Sequence, residues 1–293
     1  MKILILGKGY IGNYLAPYLS SEGHTVFHFS KHILDYTNPT AFKNYLKNTE
    51  KEINWIINCS GFTGTPNVDS CEDHKEECYF YNVLAPLYMT KVANDVGIPI
   101  IHIGSGCVYS GYNKIYTEND ITDFGVDNPD SSYYSKTKDA FEKLSKDMQR
   151  YIFRIRIPFN GVYEPKNYLY KMIKYDNLIT KQNSITCVDD LLVFIKKFII
   201  SKRYSSFEND NGIYNVVNKD SIDGCDVVDM LKEYNIVNPN WKFVTINEAN
   251  FRVARSNCIL STEKIEKLGL GLPPVKESLI KSIYEFSQNI ERK

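Results

Sequence analysis

The chain has 293 residues, with 35 basic and 35 acidic side chains and a formal net charge of zero. That balance leaves no electrostatic footprint for a nucleic acid, and no apolar run approaches the length that crosses a bilayer. The length suffices for one doubly wound domain plus a smaller portion that shares its interface.

The first apolar run, Lys2 to Leu6, begins almost at once, so no room is left for a signal peptide and a cytoplasmic location is expected. The run suits a buried parallel strand. It leads into Gly7-Lys8-Gly9-Tyr10-Ile11-Gly12, after which Tyr14, Leu15, Tyr18 and Leu19 recur at helical spacing until Gly23 stops them. Strand, glycine turn and helix come in the order a dinucleotide site requires, because glycines let the backbone approach a pyrophosphate at a helix N-terminus. An ordinary strand-to-helix turn is the plainer alternative.

A second strand is expected over Thr25 to Phe29. An acidic residue at its end would meet an unphosphorylated ribose, but the chain reads Ser30-Lys31-His32 and Asp35 comes several residues late. Ser30 and Lys31 therefore predict a 2′-phosphate and a preference for NADPH over NADH, unless Lys31 is merely a solvated loop cation. Further apolar runs at Trp55 to Cys59, Ile98 to Ile103, Tyr151 to Ile157 and Ile213 to Val217 alternate with helical patterns. This predicts an α/β fold, a Rossmann doubly wound parallel sheet. A dinucleotide-binding domain is expected over 1–157 and a smaller C-terminal substrate-binding portion, partly interleaved with it, over 158–293. The stretches Asn160 to Asn183 and Trp241 to Leu260, the latter with Arg252 and Arg255, are candidate lids over a phosphorylated, hydroxyl-rich substrate.

Two motifs carry chemistry. Ile103-Gly-Ser105-Gly-Cys107-Val-Tyr109 places a serine and a cysteine at the end of a strand, and Tyr134-Ser-Lys-Thr-Lys138 puts a phenol and an ammonium on one helix face. A phenol of ordinary pKa about 10 is a poor acid-base group at neutral pH, and a neighbouring ammonium is expected to lower it. Ser105 would hydrogen-bond the same carbonyl oxygen. The seven cysteines (59, 71, 78, 107, 187, 225, 258) are an odd number without metal-ligand spacing, which predicts reduced thiols. Cys71 and Cys78 lie near Glu72, Asp73 and His74, but one histidine and spread thiols make a poor zinc site, so no metal is expected.

These motifs, in this order, resemble the extended short-chain dehydrogenase/reductases of the dTDP-4-dehydrorhamnose reductase type, and the resemblance runs essentially end to end. More narrowly the chain is similar to the UDP-4-keto-6-deoxyglucose 3,5-epimerase/4-reductases, the UDP-rhamnose synthases. That likeness rests on Asn58-Cys-Ser-Gly-Phe-Thr63-Gly-Thr-Pro-Asn67-Val-Asp69, Cys71-Glu-Asp-His-Lys75, Tyr133-Tyr-Ser-Lys-Thr-Lys138 and Arg154-Ile-Arg-Ile-Pro158. It rests also on Asn183-Ser-Ile-Thr-Cys-Val-Asp-Asp-Leu191, Ala254-Arg-Ser-Asn257 and Pro274-Val-Lys-Glu-Ser-Leu-Ile280.

The resemblance implies Ser105, Tyr134 and Lys138 as the reductase triad. It implies Gly7, Gly9, Tyr10, Ile11, Gly12, Asn58, Ser60 and Gly61 at an NADP cofactor, together with Ser30, Lys31, Tyr134 and Lys138. Thr63, Asn67, Asn82, Asn160, Asn167, Arg255 and Asn257 are implied near a UDP-sugar, although Thr63, Asn67 and Asp69 serve equally well as turn and cap residues. Asn82 is expected to orient Lys138 through water. Cousins that epimerise before reducing, the GDP-fucose synthases, similarly carry a cysteine two residues after the serine, so Cys107 becomes a candidate epimerisation acid-base; a small packing residue is its plainer role. Inversion at a carbon requires a second group on the opposite face, for which Lys171 and Lys174 are candidates on a helix expected over Tyr168 to Tyr175. The implied reaction converts UDP-4-keto-6-deoxy-D-glucose to UDP-L-rhamnose with NADPH, in a homodimer built on the helices Tyr79 to Ala93 and Tyr134 to Leu144. Alternatives are a plain 4-reductase, another 4-keto-6-deoxy sugar nucleotide including an N-acetylated one, or a catalytically silent NADP-binding regulatory subunit.

Overall fold

The computed structural model describes residues 1–48, 52–65, 67–202, 212–246, 248–249 and 251–291. The chain folds as two compact units, the first comprising residues 1–108, 121–154 and 196–214 and the second 109–120, 155–195 and 215–293.

The first unit is built on a six-stranded sheet. In chain order its opening elements are β1 (Lys2–Leu6), α1 (Tyr10–Ser21), β2 (Thr25–Phe29), α2 (Pro39–Asn48) and β3 (Trp55–Asn58). They are followed by α3 (Lys75–Tyr79), α4 (Ala85–Asp95), β4 (Ile100–Ser105), α5 (Tyr133–Leu144) and β5 (Tyr151–Ile155). The sheet order is β2-β1-β3-β4-β5 with the strand Ile213–Asn215 at the far edge, and β1 pairs in parallel with both β2 and β3. The α/β parallel-sheet expectation is therefore met. Ile3, Leu4, Ile5, Leu6, Ile56 and Ile57 are all fully buried, as a strand covered on both faces requires.

Three boundaries differ from the sequence reading. β4 starts and ends two residues later than its apolar run, so Ser105 is its final residue. β5 stops at Ile155, and two residues on, Ile157 has a positive φ of 41°, a conformation that no strand continues through. The helix expected as one piece over Tyr79 to Ala93 is α3 and α4 joined by a π-helical turn, Phe80–Leu84. Such a turn inserts a residue into the helical repeat and re-aims a side chain; here it contains Asn82.

Register sets the site. Leu6 pairs with both Phe29 and Asn58, and Asn58 with His102, so these four form one row across the sheet at the strands' carboxyl edge. The residues following them supply the loops in which an open α/β sheet binds its ligands. Helix α5 is fastened beneath that edge by a buried ion pair, Arg154 of β5 donating to Glu142 at 3.0 Å from Nε and 2.5 Å from Nη2.

The second unit has its own core, in which Phe159, Leu169, Met172, Ile185, Val227, Leu231, Leu279 and Phe286 cluster. It carries two short parallel ladders, Pro158–Phe159 with Thr186–Cys187 and Asn177–Ile179 with Lys242–Val244. Helix α6 (Tyr168–Lys174) starts at Asn167, whose side chain accepts from Leu169 N. No helix among the described residues is long and apolar enough to cross a membrane.

Because Glu142 and Arg154 are desolvated together, removing one leaves a buried charge without its partner. Glu142→Gln is expected to lower the unfolding free energy by about 3 kcal/mol or more. Urea titration followed by circular dichroism checks this, and an unchanged midpoint would mean the pair adds nothing.

Candidate active site

At the end of β1, Gly7 adopts φ 101° and its N–H donates to Phe29 O at 2.8 Å. A side chain there would meet Ser60 N at 2.7 Å, and one at Gly12 would meet Gly7 O at 2.1 Å, so both glycines are required by packing. Gly9 differs, because a Cβ on it would meet nothing within 4 Å and its φ is an ordinary −96°. Space is left above the first turn of α1, where Tyr10 and Ile11 start the helix with no side-chain cap and no acidic residue. An open cradle against uncapped helix N–H groups fits an anionic pyrophosphate.

Ser30 is half-buried and Lys31 exposed, with the Lys31 ammonium donating to the Tyr81 hydroxyl. Asp35 is committed to its own turn, accepting from Thr37 N and Thr37 Oγ1. Asn58 is buried, and its carboxamide is occupied by Ser60 N at 2.9 Å, the Ser60 hydroxyl and His102 Nδ1 at 3.0 Å. It shapes the loop through Ser60 and Gly61.

Ser105 ends β4 buried, its Oγ accepting from Cys107 N at 3.1 Å. Helix α5 is phased by its cap Ser132, whose side chain accepts from Ser135 N, while Tyr133 N donates to Glu72. That start puts Tyr134 and Lys138 on one face, with Lys138 Nζ 5.6 Å from the Tyr134 ring centre. Ser105 and the Tyr134 hydroxyl share a hydrogen bond, and Cys107 lies close enough to act electrostatically on both Tyr134 and Lys138. Four side chains therefore meet within the first unit, as the motifs require.

The expected lowering of Tyr134 is not found. Burial pushes the phenol well above its ordinary range, Cys107 adds to the shift, and the Ser105 hydrogen bond only partly opposes it. Lys138 is itself held below the ordinary ammonium range by burial, against the raising influence of Cys78, Glu142, Cys71 and Cys107. Desolvation wins because both polar ends sit in the same water-poor space.

Around this space stand Asn82, which the resemblance implied near the sugar and Lys138, and Cys71 and Cys78, which the sequence marked only as a poor zinc site. Asn82, aimed by the π-helical turn, accepts from Phe62 N at 2.8 Å and donates to Phe62 O at 2.8 Å, Thr137 Oγ1 at 3.1 Å and Cys78 Sγ at 3.3 Å. It clamps the loop after β3 directly onto α5. A Cβ on Gly61 would lie 3.1 Å from Asn82 Oδ1 and 3.4 Å from Lys138 Nζ. Cys71 hydrogen-bonds Cys78, holding the Cys78 thiol below its ordinary value, and both thiols act on Lys138. The four-residue interval from Cys78 to Asn82 was the one available signal. Thr63 is exposed, and Asn67 caps the short helix Val68–Glu72 by accepting from Asp69 N at 2.8 Å.

In the second unit, Asn160 and Asn167 are buried and occupied by one another, with Asn167 Nδ2 donating to Asn160 O at 2.7 Å and to Val162 O at 2.6 Å. Arg156 joins three segments singled out by sequence, donating to Asn183 Oδ1 at 2.6 Å and Ser256 Oγ at 2.7 Å. Asn257 accepts from Asn183 at 2.9 Å, so these residues form a structural network. The Arg255 guanidinium lies 4.5 Å from the Phe251 ring centre. Burial, helped by Lys166, lowers Lys171, whereas Lys174 is exposed and raised by its hydrogen bond with Tyr163.

A family model described as the RmlD substrate binding domain matches residues 1–288. The chain belongs to this family. It is 30% identical over 302 residues, 99% of this chain and 95% of the relative, to the bifunctional dTDP-4-dehydrorhamnose 3,5-epimerase/dTDP-4-dehydrorhamnose reductase of Arabidopsis thaliana. The chain spans 42% of the length of a trifunctional Arabidopsis protein that combines UDP-glucose 4,6-dehydratase, UDP-4-keto-6-deoxy-D-glucose 3,5-epimerase and UDP-4-keto-L-rhamnose-reductase. Among solved structures, the L780 UDP-rhamnose synthase of Acanthamoeba polyphaga mimivirus shares the fold with a TM-score of 0.85 at 21% identity, covering 97% of this chain and 99% of that one. The dTDP-4-dehydrorhamnose reductase of Bacillus anthracis, in complex with NADP, follows with a TM-score of 0.78 at 23% identity over 97% of this chain and 98% of that one. This protein is an enzyme of the sugar-nucleotide reductase and epimerase class.

Two glycines of the turn give separable outcomes. Gly9→Ala is expected to keep thermal stability and to weaken dinucleotide binding about tenfold, close to 1.4 kcal/mol. Gly12→Ala, which must displace the Gly7 carbonyl, is expected to cost about 1–3 kcal/mol of stability. Fluorescence titration beside thermal melts separates them, and a Gly9→Ala protein with unchanged affinity would remove the cradle from the cofactor site.

Proposed function

We propose that the chain epimerises UDP-4-keto-6-deoxy-D-glucose at C3 and C5 and then reduces C4 with NADPH, giving UDP-L-rhamnose. The observation that carries this reading is Cys107 within electrostatic reach of the Ser105–Tyr134–Lys138 set, since a plain reductase has no use for a thiol there. NADP in a reductase of the same fold supports the cofactor, with the Gly9 cradle, Tyr10, Ile11 and the Ser30–Lys31 corner as the groups to hold it. When bound, NADPH supplies the hydride that reaches C4.

The keto group at C4 acidifies the protons on C3 and C5, so a base removes each in turn while Ser105 and Tyr134 hold the developing oxyanion. Inversion follows when a proton returns from the opposite face. Cys107 is one of the two groups and Lys171 the other. Lys171 is preferred over Lys174 because burial favours its neutral, basic form, whereas Tyr163 holds Lys174 in its charged form. Tyr134, kept protonated by burial, delivers a proton to the C4 oxygen during reduction. Lys138, on the same helix face, would help hold the bound cofactor and stabilise the phenolate left behind. The same reading makes the enzyme a homodimer.

Incubation with substrate and NADPH in deuterated water tests this, with NADPH oxidation and two deuterons at C3 and C5 as the expected result. Oxidation without deuterium would reduce the protein to a 4-reductase, and turnover of the dTDP analogue alone would change the nucleotide. Cys107→Ser and Lys171→Arg are expected to stop exchange at one or both carbons with NADPH binding intact, while Lys174→Arg retains it. Tyr134→Phe is expected to slow reduction by about 10²–10⁴-fold.

The pH dependence follows from Lys171. Its lowered pKa leaves the amine neutral at a pH where an ordinary lysine is still charged, so exchange at its carbon rises with pH below the ordinary lysine range. A limb at the ordinary value would assign the proton transfer elsewhere.

A further inference from the structure

We propose that His102 is a positioning residue for the dinucleotide site: as its Nε2–H tautomer it fixes the Asn58 carboxamide, and through it the Ser60 loop against which the Gly7 turn closes. The inference rests on reading that turn as the cofactor site.

Donor and acceptor roles are determined one from the next. The Thr90 hydroxyl donates to Pro86 O at 2.7 Å, so its single proton is used. It lies 2.9 Å from His102 Nε2, which must therefore carry the hydrogen. Nδ1 is then an acceptor, and it receives Asn58 Nδ2 at 3.0 Å. That contact orients the amide with Oδ1 toward Ser60, where it accepts from the backbone N–H at 2.9 Å and from the hydroxyl. A rotated carboxamide would set its NH₂ against both Ser60 donors. Thr90, His102 and Asn58 are all nearly inaccessible to solvent, so no water replaces a lost partner. Burial, with Arg150 and Lys138 nearby, keeps the imidazole neutral by lowering its pKa to about 3.

The relay ends at the place where the turn has no slack. Cys59 N donates to Leu6 O at 2.8 Å, and Ser60 N is the atom that a Cβ on Gly7 would meet at 2.7 Å. A loop released from Asn58 shifts into the Gly7 turn. Tyr81, Asn82, Ser105 and Lys138 line a cavity with Asn58, Ser60 and His102, so the relay borders Ser105 and Lys138.

Two substitutions separate positioning from bulk stability. His102→Asn places an acceptor where Nδ1 was and retains the hold on Asn58, whereas His102→Gln carries its amide toward Thr90 and leaves Asn58 Nδ2 without an acceptor. His102→Gln is expected to raise the Kd and KM for NADPH about tenfold with kcat at saturation retained, and His102→Asn to stay within about threefold of the parent, at matched melting temperatures. Equal weakening by both, or none by His102→Gln, overturns the relay. On the unmodified protein, ¹⁵N-histidine NMR is expected to show His102 as the Nε2–H form and uncharged from pH 8 to 5; an Nδ1–H tautomer overturns the proposal even if neither variant folds. Absence of NADPH binding by the parent protein would instead bring down the cofactor reading itself.

Discussion

A parallel sheet covered on both faces leaves the polar side chains buried near its strand ends without water, and each has to find a partner within the protein. The rest of the first unit depends on that constraint. Phe29, Leu6, Asn58 and His102 form one row across the edge, and its two polar members satisfy each other and then the loop beyond. From the π-helical turn, Asn82 performs the same service for Phe62 and Thr137. Rigidity at the candidate site is thus a consequence of satisfying buried hydrogen bonds, and the loops that would hold a ligand inherit it.

Desolvation also decides the chemistry. An ammonium next to a phenol lowers the phenol's pKa only if the pair's attraction in the ionised form exceeds the cost of two buried charges. At 5.6 Å from the ring centre, and with its own charge suppressed by burial, Lys138 does not achieve this for Tyr134. The phenol stays protonated. A protonated phenol can give a proton but cannot take one. Glu142 raises Lys138 as well, but burial outweighs it, and Arg154 donates to both of its carboxylate oxygens.

The sheet was legible because its strands are nearly continuous apolar runs, a pattern that survives without knowledge of neighbours. The glycine turn was legible as well, since Gly7 and Gly12 are required by local close approach. What escaped was long-range. Nothing in the sequence near residues 109–120 marks them as packing with the second unit, and a π-helical turn has no pattern apart from its slightly wrong phase. An amide serves equally well as a ligand group and as a cap, so the sequence leaves both roles open at Asn67, and the geometry puts Asn67 and Asn167 at helix starts. Arg156, Asn183 and Ser256 stood out as motifs, yet they bond to one another across large gaps in the chain.

Lys171 and Lys174 show how little sequence distance is needed to divide two identical side chains. The cap at Asn167 fixes the phase of α6, so Leu169 and Met172 enter the core and Lys171 is carried half out of water beside them. Three residues on, Lys174 emerges on the exposed side, where Tyr163 and Tyr170 present their rings at 6.0 and 5.7 Å and Tyr163 takes a hydrogen bond from it. The first environment penalises an ammonium and the second rewards it. An amine accepts a proton only while neutral, so the helix cap, by setting the rotation of one short helix, determines which of the two lysines is the more readily neutral.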